Sequence, residues 1–213
     1  FETRACLDYT QDDLPPWLPE LNLSYHVHLP LDLPWEQGGE AVAGLALQLA
    51  DKTAFCRPWG FVLHPPSDPD IFLDFHHHWC AAGWPSQSLI LENIEANDLL
   101  PLLPVLDQTR CRICIDIGHL LAFGQERIRD QAALLQRLAM LHIYAPVNGD
   151  KHAALDRLSA PGRALLAELL TLLPPQGVIV FEVFRPAELR ASLDIFSLWI
   201  RNWDSHFGFR EPG

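Results

Sequence analysis

The chain has 213 residues, of which 49% are hydrophobic, and sets 15 Lys and Arg against 27 Asp and Glu for a formal charge of −12. The apolar share supports one sizeable core and excludes a disordered chain, while the longest apolar stretches, Leu99–Leu106 and Leu165–Leu173, are too short or too broken by Pro, Glu or Thr to span a bilayer. So acidic a chain lacks the field that attracts nucleic-acid backbones or anionic membranes, which leaves a small molecule as the expected partner.

In chain order, Glu2–Tyr9 reads as a strand, followed by strands at Ser24–Leu29, Gly60–His64, Leu89–Ile94, Arg112–Asp116, Met140–Tyr144 and Val178–Val183. Several are continuous Val/Ile/Leu/Phe runs, the pattern of parallel strands covered on both faces. Between them the spacing predicts helices over Gly39–Asp51, Ile71–Ala82, Asn97–Leu106, Gln125–Ala139, Ala160–Leu173 and Pro186–Trp203. Pro174, Pro175 and Gly177 stop one helix before the last strand. No composition shift marks a linker, so residues 1–213 are expected to form a single α/β domain. The chain opens on Phe1 rather than Met, which suggests that sequence precedes it. Five cysteines, an odd and scattered set, suggest a reducing, cytoplasmic setting. Cys111 and Cys114 form a C-x-x-C inside a strand, where residues three apart face opposite sides, so neither a metal knuckle nor a redox pair is expected.

From the second strand onward, each strand carries an acid or a histidine at or near its C-terminal end: His26 and His28, His64, Glu92, Asp116 with His119, His142, Asp150 with His152, and Glu182. One parity collects the inward positions, pairing Ile90 with Glu92, Cys114 with Asp116, Met140 with His142 and Val180 with Glu182. A parallel barrel gathers its strand ends on one rim, so the convergence favours a (β/α)₈ TIM barrel over a doubly wound sheet. A single strand histidine is most often a hydrogen-bonded core residue, and a single buried Glu is most often paired with Arg or Lys. Here almost no Lys or Arg accompanies the set. Divalent cations, zinc or manganese, would neutralise it through ordinary imidazole and carboxylate ligation.

The phrases HxHLP, LHPP, LENI, CIDIGH, LHIY, D-x-H and FE, in that order over residues 24–184, resemble the xylose-isomerase-like TIM barrel superfamily, and within it the endonuclease IV (AP endonuclease family 2) pattern. The resemblance implies that His28, His64 and Glu92 hold one metal. It makes Glu92 a bridge to a second metal shared with Asp116, His142 and Glu182, and assigns a third to His119, Asp150 and His152. His26 competes with His28, having the same parity. Glu2–Tyr9 resembles the second strand of that barrel, which implies that the first β/α unit is absent from this chain. YHVHLPLDLPW, CIDIGHLLAFG, GDKHAAL and VFEVF resemble most the cobamide-remodelling phosphodiesterases, which are compact relatives.

Three functional expectations follow. The first is a metal-dependent hydrolase that cuts a phosphodiester in a small molecule, a corrinoid by resemblance, with two or three zinc ions and with Glu92, Glu182 and His142 as catalytic residues. The second is a sugar isomerase or epimerase of the same superfamily, which needs only Glu92, Asp116, His142 and Glu182 around one metal, with two carboxylates transferring protons. The third is a barrel that has kept its shell and lost its chemistry. His76, His77 and His78 lie on a predicted helix and point three ways, so they are read as a solvated helix face. Trp35 ends the turn after Ser24–Leu29 and is expected to wall the pocket. The sequence leaves the oligomeric state open.

Overall fold

The computed structural model describes residues 2–10, 13–148 and 151–207, with side chains described through Asn202. These fall into two compact units: Phe1–Cys114 with Ile128–Arg137, and Ile115–Arg127 with Leu138–Gly213. Strands alternate with helices in both, so the α/β class expected from the sequence is the one observed.

In the first unit the opening segment is a helix, α1 (Thr3–Asp8), and not the expected strand. Its two ends are held by side chains that periodicity does not reveal. The Asp32 carboxylate accepts from the Thr3 backbone N–H at 2.6 Å and from its hydroxyl at 2.8 Å. The Lys52 ammonium donates to the carbonyls of Leu7 and Tyr9 at the other end, where a cation also suits the helix dipole. Only Thr3 of this helix is buried, unlike a strand covered on both faces.

Four parallel strands follow: β1 (Val27–His28), β2 (Phe61–Leu63), β3 (Leu89–Glu92) and β4 (Arg112–Asp116), of which the last two residues belong to the second unit. Helices α2 (Gly39–Thr53) and α3 (Pro69–Ala81) connect them. Asp68 caps α3, its carboxylate accepting from the N–H groups of Asp70 and Ile71, with Pro69 at the first helical position. Phe61, Phe72, Phe75 and Trp79 are fully buried, and burial of each such ring contributes about 1.5–3 kcal/mol. Gly39 lets the start of α2 close on α3, since a Cβ there would stand 2.4 Å from the Phe75 nitrogen.

The expected helix Asn97–Leu106 is reduced to a 3₁₀ turn, Leu100–Leu102, and α4 (Leu103–Leu106), because Pro101 and Pro104 tolerate only the first turn of a helix. The expected helix Gln125–Ala139 is likewise broken, into a 3₁₀ turn at Glu126–Asp130 and a short helix, Ala132–Leu135. Ile113 N–H donates to the Arg137 carbonyl at 2.8 Å, which draws the chain out of helix there.

In the second unit, α5 (Ile117–Ala122) starts directly on the end of β4. Strand β5 (Leu138–Ile143) pairs in parallel with β8 (Val178–Phe181), placing His142 opposite Val180. Between them an antiparallel hairpin is formed by β6 (Ala145–Val147) and β7 (Lys151–Ala153). Helix α6 (Ala160–Leu172) is capped by Ser159, whose hydroxyl accepts from Gly162 N–H. Helix α7 (Pro186–Phe207) is anchored by buried Ser192, whose hydroxyl oxygen accepts from Leu155 N–H at 3.1 Å. Among the described residues no helix is long and apolar enough to cross a membrane.

Candidate metal centre

In the first unit, strand register alone brings three ligand types together. Leu63 of β2 is level with Leu91 of β3, so the next residues, His64 and Glu92, stand side by side on one face. His28 is level with Val62, two residues lower, and its ring reaches up diagonally, as cross-strand neighbours two apart can. His28 Nε2 and His64 Nε2 lie 3.1 and 3.3 Å from the same oxygen, Glu92 Oε2. Two donors about 2.0–2.1 Å from one cation at a tetrahedral angle stand roughly 3.3–3.4 Å apart, so the set fits a divalent ion. The tautomer agrees. His28 Nδ1 donates to the Leu29 carbonyl at 2.8 Å, which leaves the Nε2 lone pair of the neutral ring facing the carboxylate, the usual outer arrangement of a metal-binding histidine. His26 packs instead against Trp59, ring centroids 6.2 Å apart.

In the second unit, Asp116 ends β4 and caps α5, with Oδ1 accepting from His119 N–H at 2.7 Å. That bond fixes the carboxylate and leaves Oδ2 4.0 Å from His142 Nδ1. Glu182 follows β8 with the parity of Val180, so it approaches His142 diagonally, Oε2 to Nδ1 at 3.5 Å. The ligand atoms of Asp116, His142 and Glu182 all lie within 4.8 Å of one another. Two carboxylate oxygens and an imidazole nitrogen at such spacing are too far apart for good hydrogen bonds and are close enough to share a cation. Asp116 is wholly enclosed, whereas the Glu182 side chain is 18% exposed, so Glu182 is the carboxylate a bound molecule can touch.

The other expected ligands are placed differently. Asp150 lies outside the described residues. His152 comes from β7 and not from a barrel strand, and its Nδ1 donates to the Glu182 carbonyl at 2.8 Å. His119 and His152 stand 6.4 Å apart between ring centroids, and among the described residues neither belongs to a metal-capable cluster of three. Trp35 turns inward: its Nε1–H donates to the His64 carbonyl at 3.1 Å and its ring packs on Phe75. Of the three consecutive histidines, His76 is half-buried against the Ser86 hydroxyl at 2.8 Å, and burial, aided by the neighbouring His77, holds its pKa below the ordinary imidazole value. His78 faces Asp74, and His77 is exposed. All five cysteines are free thiols. Burial pushes Cys111 up to about 11, so it stays a thiol at neutral pH.

Sequence reasoning passed over Tyr144 and Gly118. The Tyr144 ring is fully buried and stacked on His152, centroids 3.7 Å apart and planes 6° from parallel. A Cβ at Gly118 would stand 2.0 Å from Tyr144 Cζ, so only glycine admits the ring. The signal was present in the glycine of CIDIGH, two residues after Asp116.

No protein-family model and no curated protein sequence matches the chain. Solved structures do match its fold. A D-tagatose 3-epimerase-like protein aligns with a TM-score of 0.68 at 16% identity, over 88% of this chain and 80% of its own. A xylose isomerase domain-containing protein from Salmonella typhimurium aligns at 0.58 and 12% identity, over 89% and 79%. A sugar phosphate isomerase/epimerase from Parabacteroides distasonis aligns at 0.55 and 12% identity, over 87% and 74%. The TIM-barrel class is therefore the observed one. Among the described residues it is carried by four parallel strands in one unit and two in the other, fewer than the eight of a full barrel and fewer than the seven expected here, because Glu2–Tyr9 is not a strand. These matches also correct the hydrolase expectation: the three proteins are described as epimerase- or isomerase-like and not as phosphodiesterases. The corrinoid substrate, which rested on that resemblance alone, falls with it.

Proposed function

We propose that this chain is a metal-dependent isomerase or epimerase acting on a small sugar, by moving a proton at a carbon next to a carbonyl. The observation that carries the reading is the Asp116–His142–Glu182 cluster, two carboxylates and one imidazole with only Glu182 partly exposed, set at the C-terminal ends of parallel strands. The described names of proteins sharing its fold support the same class.

Asp116, His142 and Glu182 would hold one divalent cation, and His28, His64 and Glu92 a second, zinc suiting the mixed imidazole and carboxylate donors and manganese being the alternative. A cation in such a place polarises a substrate hydroxyl or carbonyl and makes the adjacent C–H more acidic. The protein residues supply the rest. The cap on Asp116 holds its carboxylate in one orientation. His142, almost wholly enclosed, keeps water from the carboxylates around it. Glu182, the partly exposed carboxylate of this cluster, is placed to take the proton and to return it. His152 anchors the Glu182 backbone through its Nδ1–H.

The test is proton exchange in D₂O with a panel of ketoses, followed by NMR, on the zinc- or manganese-loaded protein. Deuterium entry at the carbon beside the carbonyl, lost on chelation and in Glu182→Gln, is the expected result. A protein that binds metal stoichiometrically yet exchanges and interconverts no ketose would overturn the reading.

A further inference from the structure

Three of the chain's 15 Lys and Arg, namely Lys151, Arg157 and Arg185, line one cleft of about 480 Å³ in the second unit. Among the described residues the single acid in its lining, Glu188, pairs loosely with Arg185 at 3.7 Å on an exposed surface, a contact worth little against solvent. The described lining thus carries a local excess of two positive charges on a chain of net −12. Its volume suits a small metabolite.

Its position is as informative as its charge. Lys151 comes from the hairpin that follows β5, and Arg185 follows β8, so both stand beyond the C-terminal ends of the strands that place His142 and Glu182, the latter just past the end of β8. His152 belongs to the cleft wall and at the same time reaches the Glu182 carboxylate, Nδ1 to Oε2 at 3.8 Å. Phe184 completes the wall, packed on the His152 ring at 5.2 Å and itself 74% exposed. An apolar ring left open to water beside three cations offers a flat face to a sugar and a positive end to an anion.

We infer that this cleft is an anion-binding subsite, and that the substrate is an anionic sugar whose phosphate or carboxylate is held by Lys151, Arg157 and Arg185 while its carbonyl end lies toward Glu182. The guanidinium forks of Arg157 and Arg185 match such groups in two parallel hydrogen bonds, and the Lys151 ammonium adds a point charge. The inference rests on the isomerase reading and narrows it to charged substrates.

Calorimetric titration of the metal-loaded protein with a ketopentose phosphate, a keto-uronate and the neutral ketopentose tests it. The wild type is expected to bind one or both anions at least about tenfold more tightly than the neutral sugar. The stronger of the two identifies the anion. That preference should collapse toward one in Arg157→Gln and in Lys151→Gln, both changes at exposed positions, and should shrink with added salt in the wild type, which needs no variant. Equal binding of all three sugars, or a preference that survives both substitutions and salt, overturns the subsite. Interconversion of the neutral ketose without anionic preference overturns the subsite and leaves the isomerase reading intact. A preference lost in the variants but with no sugar interconverted keeps the subsite and overturns the isomerase reading.

Discussion

In the first unit two imidazoles face one carboxylate oxygen at 3.1 and 3.3 Å, whereas in the second two carboxylates face one imidazole nitrogen at 3.5 and 4.0 Å. One device recurs in both clusters: on parallel strands, His28 in the first and Glu182 in the second reach a partner two positions along. The charge differs. With neutral rings the first cluster carries one negative charge and the second two, so a divalent cation neutralises the second fully and leaves the first positive. The second cluster therefore needs its cation more, both to persist as folded structure and to do chemistry.

The largest expected effect breaks that asymmetry at its charged end. Glu182→Gln removes a charge and a ligand from the second cluster and should lower metal-dependent turnover by more than about a hundredfold, since even outer partners of a metal contribute about 10–100-fold. His64→Gln in the first cluster should cost less, and steady-state kinetics with metal analysis on both variants ranks them. An equal loss would mean that the clusters are chemically equivalent.

Metal removal comes next. For metal held at a hundred times its dissociation constant, chelation should cost about 2.7 kcal/mol. Differential scanning calorimetry would register this as a fall in Tm of roughly 5–11 °C. Asp116→Asn, which lowers the repulsion left behind, should lose less on chelation. Should the variant and the wild type fall equally, the charge argument fails.

Two glycines compare the units without touching a ligand. Gly118→Ala meets the Tyr144 ring and Gly39→Ala meets backbone of α3, and each overpacking should destabilise by about 1–3 kcal/mol in urea denaturation. Only Gly118→Ala displaces the ring that backs His152, so it alone should also lower turnover. The smallest effect is expected from Trp35→Phe, which removes one hydrogen bond to the His64 carbonyl and should cost about 0.5–1.5 kcal/mol. It should loosen metal binding in the first cluster only, as separate metal titrations would read.

Strand parity was the legible part of the sequence. Arg112–Asp116 has the expected bounds, and the inward positions Glu92, Asp116, His142 and Glu182 were named from alternation alone, because a buried parallel strand leaves few choices for a polar residue. What stayed hidden depended on partners distant in sequence. The helix at Thr3–Asp8 is set by Asp32 and Lys52, the role of Asp116 as a cap appears only once α5 is seen to start on it, and the bond of Trp35, expected as a pocket wall, to the His64 carbonyl shows only in the folded chain. The basic cleft was equally invisible, since Lys151, Arg157 and Arg185 are scattered along the chain and assembled by the hairpin and by the turn after β8.

That hairpin has a consequence for how the chain tolerates insertion. His152 sits opposite Pro146 in an antiparallel ladder, and Asn148 leaves β6 in the left-handed conformation that asparagine accepts. Side chains on a strand alternate faces, so slipping the register by a single residue turns every one of them over. A slip of β7 by one residue against β6, from one residue added or lost between Asn148 and Lys151, would carry His152 away from Tyr144 and Glu182 and bring Lys151 or Ala153 round in its place. A change of two would restore the face. Length in this segment is therefore counted in pairs, and a library varying it one residue at a time should alternate between active and inactive members.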